Sequence, residues 1–342
     1  MFVKPQRVYP YRVHFIDTDS IWFSKGYSIF KYHKSSDVFS LVARVPDLGL
    51  RQRLEFISVV KRLLRGGIHG LVKQSEGIIA VVKGRILFAP KGESRLIEVF
   101  KIPSGSRPLG LAIAPDGAIY FGEYFSNPNR NKVHVFASFD SGRNWEIVYT
   151  FARGTIRHVH NVIYDPYRKG LLVLTGDEDA ESKILLTTDG FKTLEVLAEG
   201  GQNARAVDAL PLKDGIILPM DSPKEQNYIQ FLDNSGKMYK LCPIPGTSFS
   251  VCRALGAYFI STVVEPSKVN KHPYATIWVS KNGFEWQCIF RVKKDSWPAK
   301  FFQYGNMLFP KGGDGTGPLL ATAFALKGYH DVTLVWESLE TA

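Results

Sequence analysis

Three cysteines in 342 residues are too few, and too scattered, for a disulfide framework or a thiolate metal site. Cys242, Cys252 and Cys288 fall in strand-like stretches with no Cys-x-x-Cys pair, and are expected as reduced thiols in the core. No apolar run approaches the roughly 18 residues that a spanning helix needs. The first residues, Met1 to Arg7, hold neither an apolar stretch nor a small-residue cleavage site, so the expectations are no membrane span, no signal peptide and a cytoplasmic location. Concentrated charge is also missing. The formal net charge of +11 is spread along the chain without a block of five like charges, and no RNA-binding or zinc-finger pattern accompanies it. Nucleic acid is therefore not the expected partner; the spread charge reads first as a solvated basic surface, with an acidic carbohydrate as the other polyanion it could meet. There is no Gly-x-Ser-x-Gly elbow, no His-Glu-x-x-His, no phosphate loop and no dinucleotide fingerprint. The glycine-rich segment Lys311 to Gly317 lacks the Gly-Lys-Ser/Thr order and reads as a flexible loop at the mouth of a site.

What the chain has in quantity is aromatic residues and glycine, with 23 Phe, 15 Tyr and 30 Gly, as in many short strands joined by tight turns. One unit recurs. Its clearest copy has an inner strand over 158–166, a second over 170–175, a third over 183–188 and a fourth over 194–198. Related units begin near His69, Leu109, Arg205, Arg253 and Gln303, spaced by about 40 to 51 residues, and a further one covers Tyr11 to Val45. Seven such units fill the chain at the length of a four-stranded propeller blade. The expected fold is all-β: a single domain over 1–342 forming a seven-bladed β-propeller of four-stranded antiparallel blades, with six blades as the alternative. The last unit, Phe301 to Ser338, is one strand short, and Val3 to Tyr9 is expected to complete it and so remove an open sheet edge. The segment 51–65 breaks the pattern, since Leu54, Ile57, Val60, Leu63 and Leu64 recur at helical spacing, and predicts a helical insertion between the first two blades.

Residues 138–145 have the order Ser-x-Asp-x-Gly-x-x-Trp, and degenerate copies occupy 187–193 and 280–286. In a hairpin, Asp140 accepts backbone N–H groups, Gly142 supplies a positive φ, and Trp145 covers the apolar edge of the blade. This motif resembles the Asp-box of bacterial neuraminidase repeats, a resemblance that implies a propeller of the sialidase-like superfamily and a folding role for the box. The likeness does not extend to sialidase activity, because Tyr9 to His14 lacks the Phe/Tyr-Arg-Ile-Pro order of true sialidases. A local stretch, Pro108 to Glu123, is similar to the repeat of gluconolactonase-like and streptogramin-lyase-like propellers. That similarity implies a strand-end glutamate, here Glu123, with histidines around a divalent metal.

Aligning the inner strands brings His14, His69, Leu109, His160, Arg205, Arg253 and Gln303 to one register, where side chains face the central channel. Four carboxylates, Glu123, Asp177, Asp221 and Glu265, recur at the ends of the second strands. The function this predicts is a carbohydrate-active propeller, lyase or glycoside hydrolase, acting on an acidic oligo- or polysaccharide in the central funnel. For a lyase, Arg205 and Arg253 clamp the carboxylate, His160 is the base, and His69 or Tyr124 the acid; for a hydrolase, Glu123 and Asp177 form the carboxylate pair. His14, Gln303, Asp221 and Glu265 complete the substrate contacts. His158 and His160 share one face of a strand and, with Asp177, are the candidate ligands of a divalent cation. The alternative is a non-catalytic propeller that binds glycan or protein through the same funnel.

Overall fold

Strands that are apolar on both faces decide the architecture. Gly77–Val82, Gly170–Thr175 and Leu319–Phe324 are buried along their whole lengths, whereas Ile97–Lys101 and Glu195–Glu199 are largely exposed. A strand covered on both faces must lie between two sheets, and burial that fades from inner to outer strands is what radial packing of sheets about an axis produces. The computed structural model describes residues 2–46, 49, 58–299 and 301–340, and in it seven antiparallel sheets form the ring.

In chain order, blade one spans 12–44, blade two 70–101, blade three 112–151, blade four 159–199, blade five 210–244, blade six 248–293 and blade seven 306–336. Adjacent blades share their cores: Ile79 and Phe88 of blade two pack with Ile119, Phe121 and Phe136 of blade three. Glycine opens the second strand of three blades for a steric reason. A Cβ on Gly77, Gly170 or Gly215 would lie 2.2, 2.5 and 2.3 Å from the carbonyl oxygens of Ala89, Thr187 and Leu232 on the neighbouring strand.

Closure occurs as expected, in blade seven. Arg7–Tyr9 pairs antiparallel with Thr333–Val335 as its outermost strand. Buried Val3 adds an anchor, donating its N–H to Ile289 at 2.8 Å and accepting Trp336 Nε1 at 3.0 Å. A second tie was not foreseen: Lys311–Gly312 pairs in parallel with Phe15–Ile16, adding a fifth strand to blade one. The glycine-rich segment is thus pinned and is no loose mouth loop, since Gly313 donates to Ile16 O and the Gly315 and Gly317 carbonyls accept from Gly256 and Leu255.

In all three box hairpins a side-chain oxygen at the Asp140 position accepts turn amides. Asp140 Oδ1 accepts the amides of Arg143 and Asn144, Gly142 (φ 91°) donates to Ser138 Oγ, and Trp145 Nε1 bonds Gly142 O. Asp189 and Asn282 take the place of Asp140 in blades four and six. The tryptophan bond recurs in blade six, whereas blade four has Phe191 and Leu194 in the places of Gly142 and Trp145. The cysteines are free but half-buried, because each lies on an outer or inner strand away from the packed middle of its blade. Of the helix expected over 51–65, Ser58–Leu64 is helical and 51–57 lie outside the described residues. Arg62 pairs with Asp295 and lies over the rings of Trp297 and Phe302, and Lys61 reaches Asp331 at 2.7 Å, so the helix is tied to the segments around blade seven. Among the described residues, no helix is long and apolar enough to cross a membrane.

Candidate functional site

Inner strands of three blades carry one residue more than their neighbours. The register slips between Val13 and Phe15, between Val159 and Asn161, and between Ser248 and Ser250, so the extra residues are His14, His160 and Phe249. Such a bulge re-aims its side chain. The expected common register therefore holds for His14 and His160 and fails for Arg253, because Phe249 occupies the corresponding place in blade six. Arg253 lies further along that strand, exposed, with its guanidinium 5.4 Å from the ring centre of Tyr258, beside a small separate cavity lined by the glycine segment.

The ring encloses a funnel of about 530 Å³, lined among others by His14, His69, Tyr124, Asp177, Arg205, Asp221, Glu265 and Gln303. Leu109, aligned with them, lines it too. Two walls of opposite character face this space. On one, Arg12 and Arg107 lie near His14 and His69, and Arg65 lines the same funnel. Arg12 pairs with Asp331 at 2.9 Å and also bonds Ile68 O, while Arg65 and Arg107 are held by the carbonyls of Phe302 and Arg65. Burial and the charge of Arg12 push His14 down to about 3, and burial with Arg107 and Arg12 pushes His69 well below the usual imidazole range. Both rings are neutral at pH 7 and mark a positive local potential.

Carboxylates make the other wall. Arg205 sits at its centre, donating through Nε to Asp221 Oδ2 at 3.1 Å and through Nη2 to Asp177 Oδ1 at 3.0 Å, with Nη1 on the Asp177 carbonyl. Asp221 is 3 % exposed, and among the described residues its Oδ1 has no partner. Burial, with the nearby Glu265, outweighs Arg205 and raises Asp221 to about 8, so that it is protonated at neutral pH. Asp177 goes the other way: burial opposes its ionisation, but the groups facing it, the Arg205 guanidinium at 3.0 Å among them, hold it below the usual carboxylate range. Glu265 is raised by burial and accepts a hydrogen bond from Thr247 Oγ1 at 3.2 Å, with Tyr304 nearby. Tyr124 is raised to about 12 by burial and by Asp177, and so remains a donor.

Three of the four strand-end carboxylates thus converge. Glu123 does not line the funnel; it is buried within blade three, where Oε2 accepts the amide of His134 at 2.9 Å. His160 is also turned from the open space. Its Nδ1 bonds Ala206 O at 2.9 Å and its Nε2 faces Asp177 Oδ1 at 3.4 Å, an arrangement that removes it from the role of a base acting on a ligand in the funnel. His158 is placed likewise, with Nδ1 on Phe125 O at 3.0 Å and Nε2 3.6 Å from Asp177 Oδ2. The ligand atoms of His158, His160 and Asp177 lie within 4.8 Å of one another, and these are the residues able to hold a metal ion.

Arg12, Arg107 and Tyr304 are funnel residues absent from the sequence reading. The first two had a legible signal: they stand two residues before His14 and Leu109, and alternate residues of an extended segment share a face. Tyr304 follows Gln303 in an irregular segment, where no periodicity points inward.

No family model matches the sequence, and no curated protein matches it. Solved structures do match over nearly the whole chain. The GH74 xyloglucanase from Xanthomonas campestris is similar at 12 % identity and a TM-score of 0.65, over 99 % of this chain and 53 % of that one. YCF48, solved bound to a peptide, is similar at 12 % identity and a TM-score of 0.57, covering 99 % and 96 %. A chain of the mitotic checkpoint complex is similar at 9 % identity and a TM-score of 0.60, covering 99 % and 95 %. At such identities the likeness is one of fold alone, and the fold is a seven-bladed propeller.

Proposed function

We propose that the protein cleaves a glycosidic bond in an anionic oligo- or polysaccharide, with Asp221 as the proton donor. The observation that carries this reading is the pair Asp221 and Glu265. Both are funnel carboxyls, both are raised by burial, and the charge of Glu265 helps to keep the proton on Asp221. Carboxyls whose environments separate their protonation states are how one site supplies an acid and a base together. Asp221 delivers its proton to the leaving glycosidic oxygen, and Glu265 takes a proton from the attacking water or from the sugar carbon next to a carboxylate. Arg205 positions Asp221, and the Asp177 carboxylate positions Arg205. The guanidinium wall of Arg12, Arg65 and Arg107 receives the negative group of the sugar at the opposite side. Likeness in fold to a xyloglucanase agrees with a carbohydrate substrate.

A second reading is a non-catalytic receptor for a peptide or glycan. It is favoured by the apolar lining residues Phe249, Leu109 and Leu308 and by the peptide-bound propeller of like fold. One experiment separates them. Incubating the protein with a panel of uronate-containing and neutral glycans, new reducing ends without ultraviolet absorbance identify a hydrolase, and absorbance from unsaturated ends identifies a lyase. Calorimetric binding without product from any glycan identifies the receptor and rejects the enzyme.

A further inference from the structure

We propose that His158, His160 and Asp177 bind a divalent transition-metal ion of the zinc type, at the wall of the funnel. The inference is independent of the proposed glycosidic chemistry. It begins with the two imidazoles. A backbone carbonyl can only accept, so the bonds from His158 to Phe125 O and from His160 to Ala206 O place the proton on Nδ1 of each ring. Each Nε2 is then left with its lone pair, and both aim at one carboxylate. Acceptors facing an acceptor repel unless something positive lies between them. Among the described residues, the Nε2 of His158, on a residue 4 % exposed, has no hydrogen-bond partner.

Two species relieve that repulsion, a proton on each Nε2 or a metal ion. Distances favour the metal. A charge-assisted bond from imidazolium to carboxylate is about 2.7 to 2.9 Å, whereas the separations here are 3.4 and 3.6 Å. The two separations run to different oxygens of Asp177, and one donor atom from each of the three residues lies within 4.8 Å of the others, a span that an ion bound at about 2.0 to 2.1 Å to each would draw in by a small side-chain movement. Holding the distal ring nitrogen on a backbone carbonyl is also how metal-bound histidines are oriented.

The neighbours narrow the choice of ion. Arg157 Nη1 and Arg205 Nη2 bond the two oxygens of Asp177 at 3.1 and 3.0 Å, so they fix the carboxylate while weakening it as a hard-oxygen ligand. Calcium needs six to eight oxygens and magnesium an octahedral oxygen shell; two imidazoles and one carboxylate suit zinc, cobalt or nickel instead. Asp177 and Tyr124 line the funnel, and the Tyr124 ring lies 4.4 Å from that of His158, which places the trio just behind the funnel wall. Among the described residues no other trio of His, Cys, Asp and Glu side chains meets in this way.

Titrating the chelator-treated full chain with Co²⁺ and Zn²⁺ at pH 7.5 tests the site. One equivalent of Co²⁺ is expected to give the intense visible absorbance of a four-coordinate centre, to be displaced by Zn²⁺, and to raise the melting temperature. His158→Ala and His160→Ala should each weaken Co²⁺ binding by about 100-fold, and Arg253→Ala should leave it unchanged. Should either histidine variant fail to fold, ¹⁵N spectra of the wild-type imidazoles decide: addition of Zn²⁺ must shift the unprotonated Nε2 signals of both rings. A folded wild type that shows no stoichiometric Co²⁺ spectrum, or Nε2 signals already protonated at pH 7.5 and unmoved by Zn²⁺, overturns the proposal. None of these readouts depends on turnover of a sugar.

Discussion

Arg205 Nε lies 3.1 Å from Asp221 Oδ2, and among the described residues it is the one side-chain partner of a carboxyl whose other oxygen is buried and unbonded. One guanidinium bond does not compensate the desolvation, and Asp221 is pushed up to about 8. Between the ordinary aspartate value near 4 and about 8, the folded chain therefore keeps a proton that the unfolded chain has lost, and this contribution to stability declines as pH rises through that window. Asp221→Asn is expected to flatten the decline, most visibly in melting temperatures measured between pH 5 and pH 9. Parallel curves for wild type and variant would mean that Asp221 is ionised in the fold.

His14 and His69 act with the opposite sign. Both are held below the usual imidazole range by burial and by neighbouring arginines, so the unfolded chain takes up protons first as pH falls below about 6.5, and stability is lost on the acid side. The double variant His14→Gln, His69→Gln should show a shallower fall in melting temperature between pH 6.5 and pH 4.5. An unchanged slope would place the acid sensitivity elsewhere.

The wall that receives the anionic group can be separated from other surface cations. Arg107 lines the funnel beside His69, while Arg253 is exposed outside it. Arg107→Ala is expected to weaken binding of an acidic oligosaccharide by about 10- to 100-fold, the loss of one charge-assisted contact in a recessed site. Arg253→Ala should have no effect. Calorimetry on both variants checks the assignment, and equal effects would point to diffuse attraction by the net positive charge.

Stability depends on the ring's joints. Trp145 packs against Phe121 and Phe100 across the junction of blades two and three, so Trp145→Ala should cost about 2 to 4 kcal/mol in urea unfolding with little change in ligand affinity per folded molecule. Deleting residues 1–10 removes the outer strand of blade seven and the Val3 anchor, and should lower the melting temperature of the whole ring in one transition. Fraying of the last blade alone, with the main transition unmoved, would contradict cooperative closure.

Blade number and closure are legible in the sequence because apolar strand spacing and the three box hairpins repeat locally, and Asp140, Gly142 and Trp145 make their bonds within a few residues of one another. The convergence of Asp177, Asp221 and Glu265 is legible for the same reason, since all three follow the second strand of a blade. Arg253 and Glu123 were misplaced by features that periodicity does not carry. A single-residue bulge before Ser250 gives the channel position to Phe249, and Glu123 follows its strand directly, so that it bonds the His134 amide beside it. The parallel tie between Phe15 and Lys311 joins segments far apart in the chain, and no local pattern announces it.

The most direct measurement is the pH dependence of kcat on an anionic oligosaccharide cleaved by the wild type, set beside Asp221→Asn and Glu265→Gln. An acid near 8 predicts a rate that falls as pH rises through that value, a loss of roughly 10²- to 10⁴-fold in each variant, and ligand affinity close to that of the wild type. Full activity in Asp221→Asn, or binding of the oligosaccharide with no product at any pH, would contradict acid catalysis in the funnel.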